Sequence, residues 1–109
     1  MFMKYMKLFE AIFNDKYMDL IRRTEEYKNY IDKYCILEYR DDEIYLVKLL
    51  DIDETDYYAK VDFYDDDNFE IESTEATAIS NFMVINSFDT LEEAIKEYEM
   101  ILNSKKYNL

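Results

Sequence analysis

The chain contains no glycine and no proline among its 109 residues, and this absence restricts the turns and loops that it can form. Glycine adopts a left-handed backbone most readily, and glycine-rich loops cradle phosphates in many nucleotide-binding and catalytic folds. Phosphate loops and nucleophile elbows are therefore excluded in their standard form. We expect asparagine and aspartate to make the turns, because they tolerate a left-handed backbone better than most other residues.

Negative charge is concentrated in one stretch of the chain. The formal net charge is −13, and residues 38–75 hold fifteen acidic residues against three basic ones. The remaining residues are nearly neutral, with eleven acids and ten bases. A stretch this acidic repels phosphates, and no basic stripe appears elsewhere, so direct binding of nucleic acid is disfavoured.

Length and composition favour a single soluble domain that comprises residues 1–109. Half of the residues are apolar, which is enough for one core, and no apolar run approaches the roughly 20 residues that cross a bilayer. The first residues lack the pattern of a cleaved leader, so a cytoplasmic protein is expected. A single cysteine, Cys35, and the absence of histidine exclude an internal disulfide and leave little for a zinc site.

The beginning of the chain shows the apolar spacing of helices. Apolar residues recur every three or four positions over residues 2–13 and again over residues 17–34, the period of one helix face. Asn14 and Asp15 lie between the two stretches and can cap a helix. The pattern predicts two helices, or one helix with a bend.

The end of the chain predicts a further helix over residues 90–102. An apolar stripe runs through this segment, and a capping box begins it, formed either by Asp89 with Glu92 or by Thr90 with Glu93.

Between the helices the apolar residues alternate as they do in strands, with aspartates at the turns. No prediction is made for residues 74–81. The whole pattern predicts an α+β fold: an antiparallel sheet of four to five strands, with the N-terminal helices and the C-terminal helix packed on one face. The predicted strands comprise residues 35–40, 43–52, 57–64, 69–73 and 82–87.

No catalytic motif is present, and we expect the protein not to be an enzyme and to need no cofactor. Paired carboxylates can act as acid and base, but they need a concave site that separates their pKa values. Acids in turns and at alternate strand positions do not predict such a site. Cys35 has no histidine to activate it, so we expect a small buried apolar residue.

One spacing is similar to that of a calcium-binding loop. Asp51, Asp53, Thr55 and Asp62 occupy positions 1, 3, 5 and 12 of such a loop. Position 6 holds Asp56 where glycine is required, and the flanking residues predict strands rather than helices. We therefore expect no specific metal site, and a small cation-responsive domain stays an alternative.

The acids of the turns and strands form a candidate binding surface. Carboxylates on alternate strand residues are about 6.6 Å apart, and neighbouring strands are about 4.8 Å apart, so the surface presents a dense grid of negative charge. Such a grid can occupy a protein groove built for phosphates, and exposed tyrosines would add anchors. The candidate partner-binding residues are Asp41, Asp42, Glu43, Tyr58, Asp62, Tyr64, Asp65, Asp66, Asp67, Glu70 and Glu72.

In its size, its acidity and its lack of an active site, the chain resembles nucleic-acid-mimicking inhibitors of phages and mobile elements, such as anti-restriction and anti-CRISPR proteins. The resemblance implies an inhibitor of a basic, nucleic-acid-binding partner, for example a nuclease or a bacterial defence complex. An immunity protein or antitoxin that neutralises a basic toxin is an alternative, and so is an acidic face that serves only solubility. A monomer and a homodimer both fit, and no membrane partner is expected.

Overall fold

The first described element is a helix. The structure is a computed structural model that describes residues 17–107 of the chain, and the side chains of residues 17–105. Helix α1 occupies residues 17–27 and continues into a short 3₁₀ turn at Lys28–Tyr30. The helix predicted to end at Tyr34 thus ends earlier, and the one predicted over residues 2–13 lies outside the described residues.

Five antiparallel strands follow α1, and a second helix follows the strands. They are β1 (Tyr34–Tyr39), β2 (Ile44–Asp53), β3 (Tyr58–Tyr64), β4 (Ile71–Ala78), β5 (Phe82–Phe88) and α2 (Leu91–Tyr107). The order in the sheet is β4-β3-β2-β1-β5, so β5 returns to pair with β1. The predicted α+β class with an antiparallel sheet is confirmed.

The sheet curls, because a flat sheet cannot accommodate the connection between β4 and β5. These strands form opposite edges, which a flat sheet would hold about 19 Å apart. Only Ile79–Asn81 joins them, and this connection spans at most about 15 Å. The curl brings Tyr39 of β1 over the concave face, where its hydroxyl lies 2.9 Å from that of Thr77 in β4.

The two helices cover opposite faces of the curled sheet. Cys35 and Leu37 point to the concave face and pack in one buried cluster with Tyr27 of α1. Ile36 lies between them, points to the convex face and packs with Tyr98 of α2. The sequence predicted both helices on one face, and the structure differs because three consecutive residues of β1 are apolar. Apolar side chains of such a run point to both faces of the sheet, so both faces must be packed against other elements.

The turns use left-handed residues other than glycine. Asp32 (φ 70°) and Asp42 (φ 65°) have the left-handed backbone expected of aspartate, but Tyr57 (φ 60°) and Phe69 (φ 54°) have it as well. A left-handed backbone is unfavourable for a bulky side chain. At Phe69 packing opposes this cost, because the ring lies edge-on against Tyr98 at 6.4 Å in the convex-face cluster.

Helix α2 begins at the predicted cap and continues beyond the predicted end. The Thr90 hydroxyl donates to the Glu93 carboxylate (2.9 Å) and accepts the Glu93 N–H (3.3 Å), so the second of the two proposed capping pairs forms. The helix extends to Tyr107 rather than ending at Leu102. Within residues 17–107, no helix is both long enough and apolar enough to cross a membrane.

Candidate acidic binding surface

Two acidic turns lie at the same end of the sheet. In an antiparallel meander every second turn is at the same end, so the β1–β2 turn (residues 40–43) lies beside the β3–β4 turn (residues 65–70). The start of β4 is there too, and we call the whole region the acidic end. Its acids are Asp41, Asp42, Glu43, Asp65, Asp66, Asp67, Glu70 and Glu72, and the described bases next to it are Arg40 of the turn and Lys105 of α2.

Two of these carboxylates hold the fold together. Asp65 Oδ1 accepts hydrogen bonds from the backbone N–H groups of Asn68 (2.6 Å) and Asp67 (3.0 Å). These bonds, first the one from Asn68, lower the pKa of Asp65 below its ordinary value. Asp66 Oδ1 accepts the hydroxyl of Tyr98, a buried residue of α2, at 2.6 Å. Both aspartates are therefore structural parts of the β3–β4 turn.

The acids of the β1–β2 turn also make local contacts. Asp41 Oδ1 accepts the Glu43 N–H at 3.3 Å, and the Glu43 carboxylate accepts the Tyr45 hydroxyl. The hydrogen bond to Glu43, together with burial, raises the pKa of Tyr45 to about 12. Lys105 of α2 donates to the backbone carbonyl of Asp42 at 2.5 Å, which ties the helix to this turn.

Four exposed carboxylates of the acidic end have no partner among the described side chains. Those of Asp42, Asp67, Glu70 and Glu72 make no hydrogen bond or ion pair with the side chains described for residues 17–105. Most ion pairs in that range involve α1 or the 3₁₀ turn after it. The side chains of residues 17–105 therefore leave most of the negative charge of the acidic end uncompensated.

Two of the predicted site residues, Tyr58 and Asp62, lie away from the acidic end, and a third, Tyr64, adjoins it. Tyr58 is 45% exposed, but it begins β3 at the opposite end of the sheet. Asp62 lies in the middle of β3, where it accepts the Thr74 hydroxyl at 2.5 Å. Tyr64 ends β3 near the acidic end, but its half-buried ring packs against Tyr34 at 6.1 Å, and burial raises its pKa. The other predicted residues lie at the acidic end.

The residues of the calcium-like spacing form a hairpin rather than a loop between helices. Asp53 Oδ1 accepts the N–H groups of Thr55 (2.9 Å) and Asp56 (3.1 Å) in the β2–β3 turn. Asp51 pairs across the hairpin with Lys60 of β3. Over residues 17–107, no three histidine, cysteine or acidic side chains are grouped as metal ligands.

Three aromatic rings beside the acidic end were not predicted as part of a site. Tyr39, Tyr45 and Phe63 are the concave-face residues of β1, β2 and β3 that lie nearest to this end. The Tyr45 ring is nearly perpendicular to Tyr39 (5.2 Å, 83°) and to Phe63 (5.6 Å, 83°). One feature of the sequence could have indicated them: each is an aromatic residue at one end of a strand in which every second residue is apolar.

The three rings and the neighbouring acids line one pocket of about 390 Å³. We call it the aromatic pocket. Asp41 of the β1–β2 turn lines it together with Glu72 and Glu75 of β4, and so does Tyr64, which was predicted as a site residue. Acids of both sides of the acidic end therefore meet around a single apolar depression.

Cys35 lies apart from this surface. Its side chain is 0% exposed in the concave-face cluster, and burial raises the pKa of its thiol to about 12. The prediction of a buried apolar residue is confirmed.

The comparisons with known proteins do not connect this surface with any other chain. No protein-family model, no curated protein and no solved structure matches the sequence or the fold.

Proposed function

We propose that this chain is a stoichiometric inhibitor that binds a basic, nucleic-acid-binding protein through its acidic end. The partner class is a nuclease or a bacterial defence complex. One observation carries the proposal: the fold brings two acidic turns to the same end of a sheet, and four exposed carboxylates there have no partner among the side chains described for residues 17–105. These carboxylates take the place of the phosphates that the partner's groove binds.

The electrostatics support a binding role over a role in solubility alone. Like charges held together repel one another and oppose folding, and a more even distribution of acids would also keep a protein soluble. A concentrated negative field, by contrast, raises the rate at which a basic partner associates and disfavours acidic partners. The sheet and α2 fix the two turns through Tyr98 and Lys105, so the charges are presented on a rigid support.

The first experiment is an affinity capture with the tagged full chain from a bacterial lysate, at low and at high salt. We expect a basic, nucleic-acid-binding protein to be recovered at low salt and to be released by salt and by added DNA or RNA. Identification by mass spectrometry then separates a nuclease or defence complex from a toxin with a cognate immunity protein. Recovery of a partner that neither salt nor nucleic acid displaces would contradict the proposal.

A matched pair of variants tests the surface itself. Asp67→Lys/Glu70→Lys reverses two exposed carboxylates at the acidic end, neither of which lines the aromatic pocket. Asp56→Lys/Glu99→Lys makes the same change in net charge at exposed positions in the β2–β3 turn and on α2. We expect the first variant to lose the captured partner and the second to retain it. Equal capture by both variants would show that the acidic end is not the binding surface.

A further inference from the structure

We propose that the aromatic pocket receives an arginine side chain of the basic partner. This inference rests on the proposed function and names the contact by which the acidic end would hold its target. The charges around the pocket attract a basic protein over a long range, whereas the pocket offers one place where a cation can leave water.

The ring faces are the feature of the pocket that favours a cation. Tyr39, Tyr45 and Phe63 line it from three neighbouring strands, and all three rings are half-buried. The nearly perpendicular packing around Tyr45 gives the pocket walls of different orientation. The face of an aromatic ring attracts a cation, and the attraction strengthens when the cation loses water.

The two tyrosine hydroxyls already make hydrogen bonds within the fold, so the rings rather than the hydroxyls are left to contact a ligand. The Tyr39 hydroxyl hydrogen-bonds with Thr77 at 2.9 Å, and the Tyr45 hydroxyl donates to Glu43. Burial raises the pKa of Tyr39, and the bond to Glu43 raises that of Tyr45. Both phenols are therefore neutral at physiological pH, and they add no charge of their own to the pocket.

The carboxylates at the rim complete the match. Asp41, Glu72 and Glu75 line the pocket, and Ser73 donates to Glu75 at 2.9 Å. Among the described residues that line it, none is basic, so its negative charge lacks an internal counterion there. A pocket of about 390 Å³ lies in the size range of sites for small ligands, so it has room for one long side chain.

Arginine fits this arrangement better than lysine. Its planar guanidinium group stacks on aromatic faces and donates two parallel hydrogen bonds to one carboxylate. A lysine ammonium group is more strongly hydrated and acts as a point charge, so it gains less from leaving water. We therefore expect the pocket to discriminate between the two cations rather than to respond to charge alone.

The test uses the full chain and three short capped peptides of equal length, made of arginine, lysine or citrulline. Citrulline has nearly the shape of arginine but no charge. Binding is measured by calorimetry, and the ring signals of the chain are followed by NMR. We expect the arginine peptide to bind most tightly and to shift the signals of Tyr39, Tyr45 and Phe63, and we expect no binding of the citrulline peptide.

Two variants and one control locate the binding. Phe63→Leu removes a ring and keeps the charges, so it should lower the affinity for the arginine peptide about five-fold. Phe88→Leu removes a half-buried ring from the convex-face cluster and should leave binding unchanged. Glu72→Gln/Glu75→Gln removes two carboxylates of the pocket rim and keeps all three rings. This variant should lower the affinity for the arginine peptide and reduce the salt dependence of binding.

The results separate this inference from the proposed function. If Phe63→Leu binds the arginine peptide as tightly as the wild-type chain does, or if arginine and lysine peptides bind equally, the pocket is not an arginine site. If Asp67→Lys/Glu70→Lys still loses the captured protein in that case, the proposed function stands without the pocket. If Asp67→Lys/Glu70→Lys also leaves capture unchanged, both proposals fail.

Discussion

Individual aspartates in this chain have two different uses. Without glycine, the turns depend on side-chain oxygens that accept backbone N–H groups, as Asp65 does for Asn68 and Asp53 for Thr55. Other carboxylates, such as that of Glu70, make no such contact with the side chains described for residues 17–105. Replacing an acid that accepts a hydrogen bond should therefore change the stability of the fold. Replacing one without such a contact should change mainly the electrostatic field of the surface.

Asp66 provides a test of the structural use. In Asp66→Ala, the hydroxyl of the buried Tyr98 loses its acceptor, so we expect the free energy of unfolding to fall by about 1–3 kcal/mol. Tyr98→Phe removes the donor instead and should cost about 1 kcal/mol. The double variant should be no less stable than Asp66→Ala alone, because neither partner is then left without the other. Urea unfolding of the wild-type chain and the three variants measures these differences.

The matched control is Asp67→Ala. Its carboxylate makes no contact with the side chains described for residues 17–105, and its neighbour in sequence is Asp66. This substitution should change the stability little. If Asp66→Ala and Asp67→Ala cost the same, or if the effects of Asp66→Ala and Tyr98→Phe simply add, the bond to Tyr98 does not stabilise the turn.

Among the helices and strands, the sequence predicted those that show a periodic apolar pattern within their own segment. Leu91, Ala94, Ile95 and Tyr98 form a stripe that only a helix can place on one face, and α2 was predicted for that reason. Strand β4 was predicted only in part, because residues 74–78 are small or polar and carry little apolar alternation. Their extended backbone comes from pairing with β3, with Val61 opposite Glu75 for example, and pairing is not visible in a single segment.

The candidate site divides in the same way. The acidic turns could be predicted, because runs of aspartate between apolar strands are local signals. The aromatic pocket could not, because Tyr39, Tyr45 and Phe63 come together only through the register of three strands and the curl of the sheet. That both faces of the sheet are covered could have been predicted from Cys35, Ile36 and Leu37. These three consecutive apolar residues cannot all point to the same side of a strand.

The cap of α2 gives a prediction for one element. Thr90→Ala removes the hydroxyl that contacts Glu93, so we expect the free energy of unfolding to fall by about 1 kcal/mol. Thr55→Ala is the control, because Thr55 is exposed in the β2–β3 turn and only its backbone N–H makes a hydrogen bond there. Thermal unfolding followed by circular dichroism compares the two. Equal melting temperatures for both variants would show that the capping pair contributes nothing.

For the whole molecule, the distribution of charge links function with stability. The acidic end concentrates like charges that the partner is proposed to neutralise, and in the free protein these charges repel one another. The fold tolerates them because two clusters of buried apolar residues, one on each face of the sheet, supply the stabilising contacts. The free protein should therefore be less stable than the same fold with a milder acidic end.

The last prediction measures this repulsion. Added sodium chloride should raise the melting temperature of the wild-type chain, because salt screens charges over about 10 Å at 0.1 M. Asp67→Lys/Glu70→Lys should melt at a higher temperature than the wild-type chain in low salt and should gain less from added salt. Asp56→Lys/Glu99→Lys has the same net charge but leaves the acidic end intact, so it should keep more of the wild-type response to salt. Equal responses of the two variants would mean that only the net charge matters. If the first variant is the more stable and has also lost its partner, the charges at the acidic end weaken the fold and serve binding.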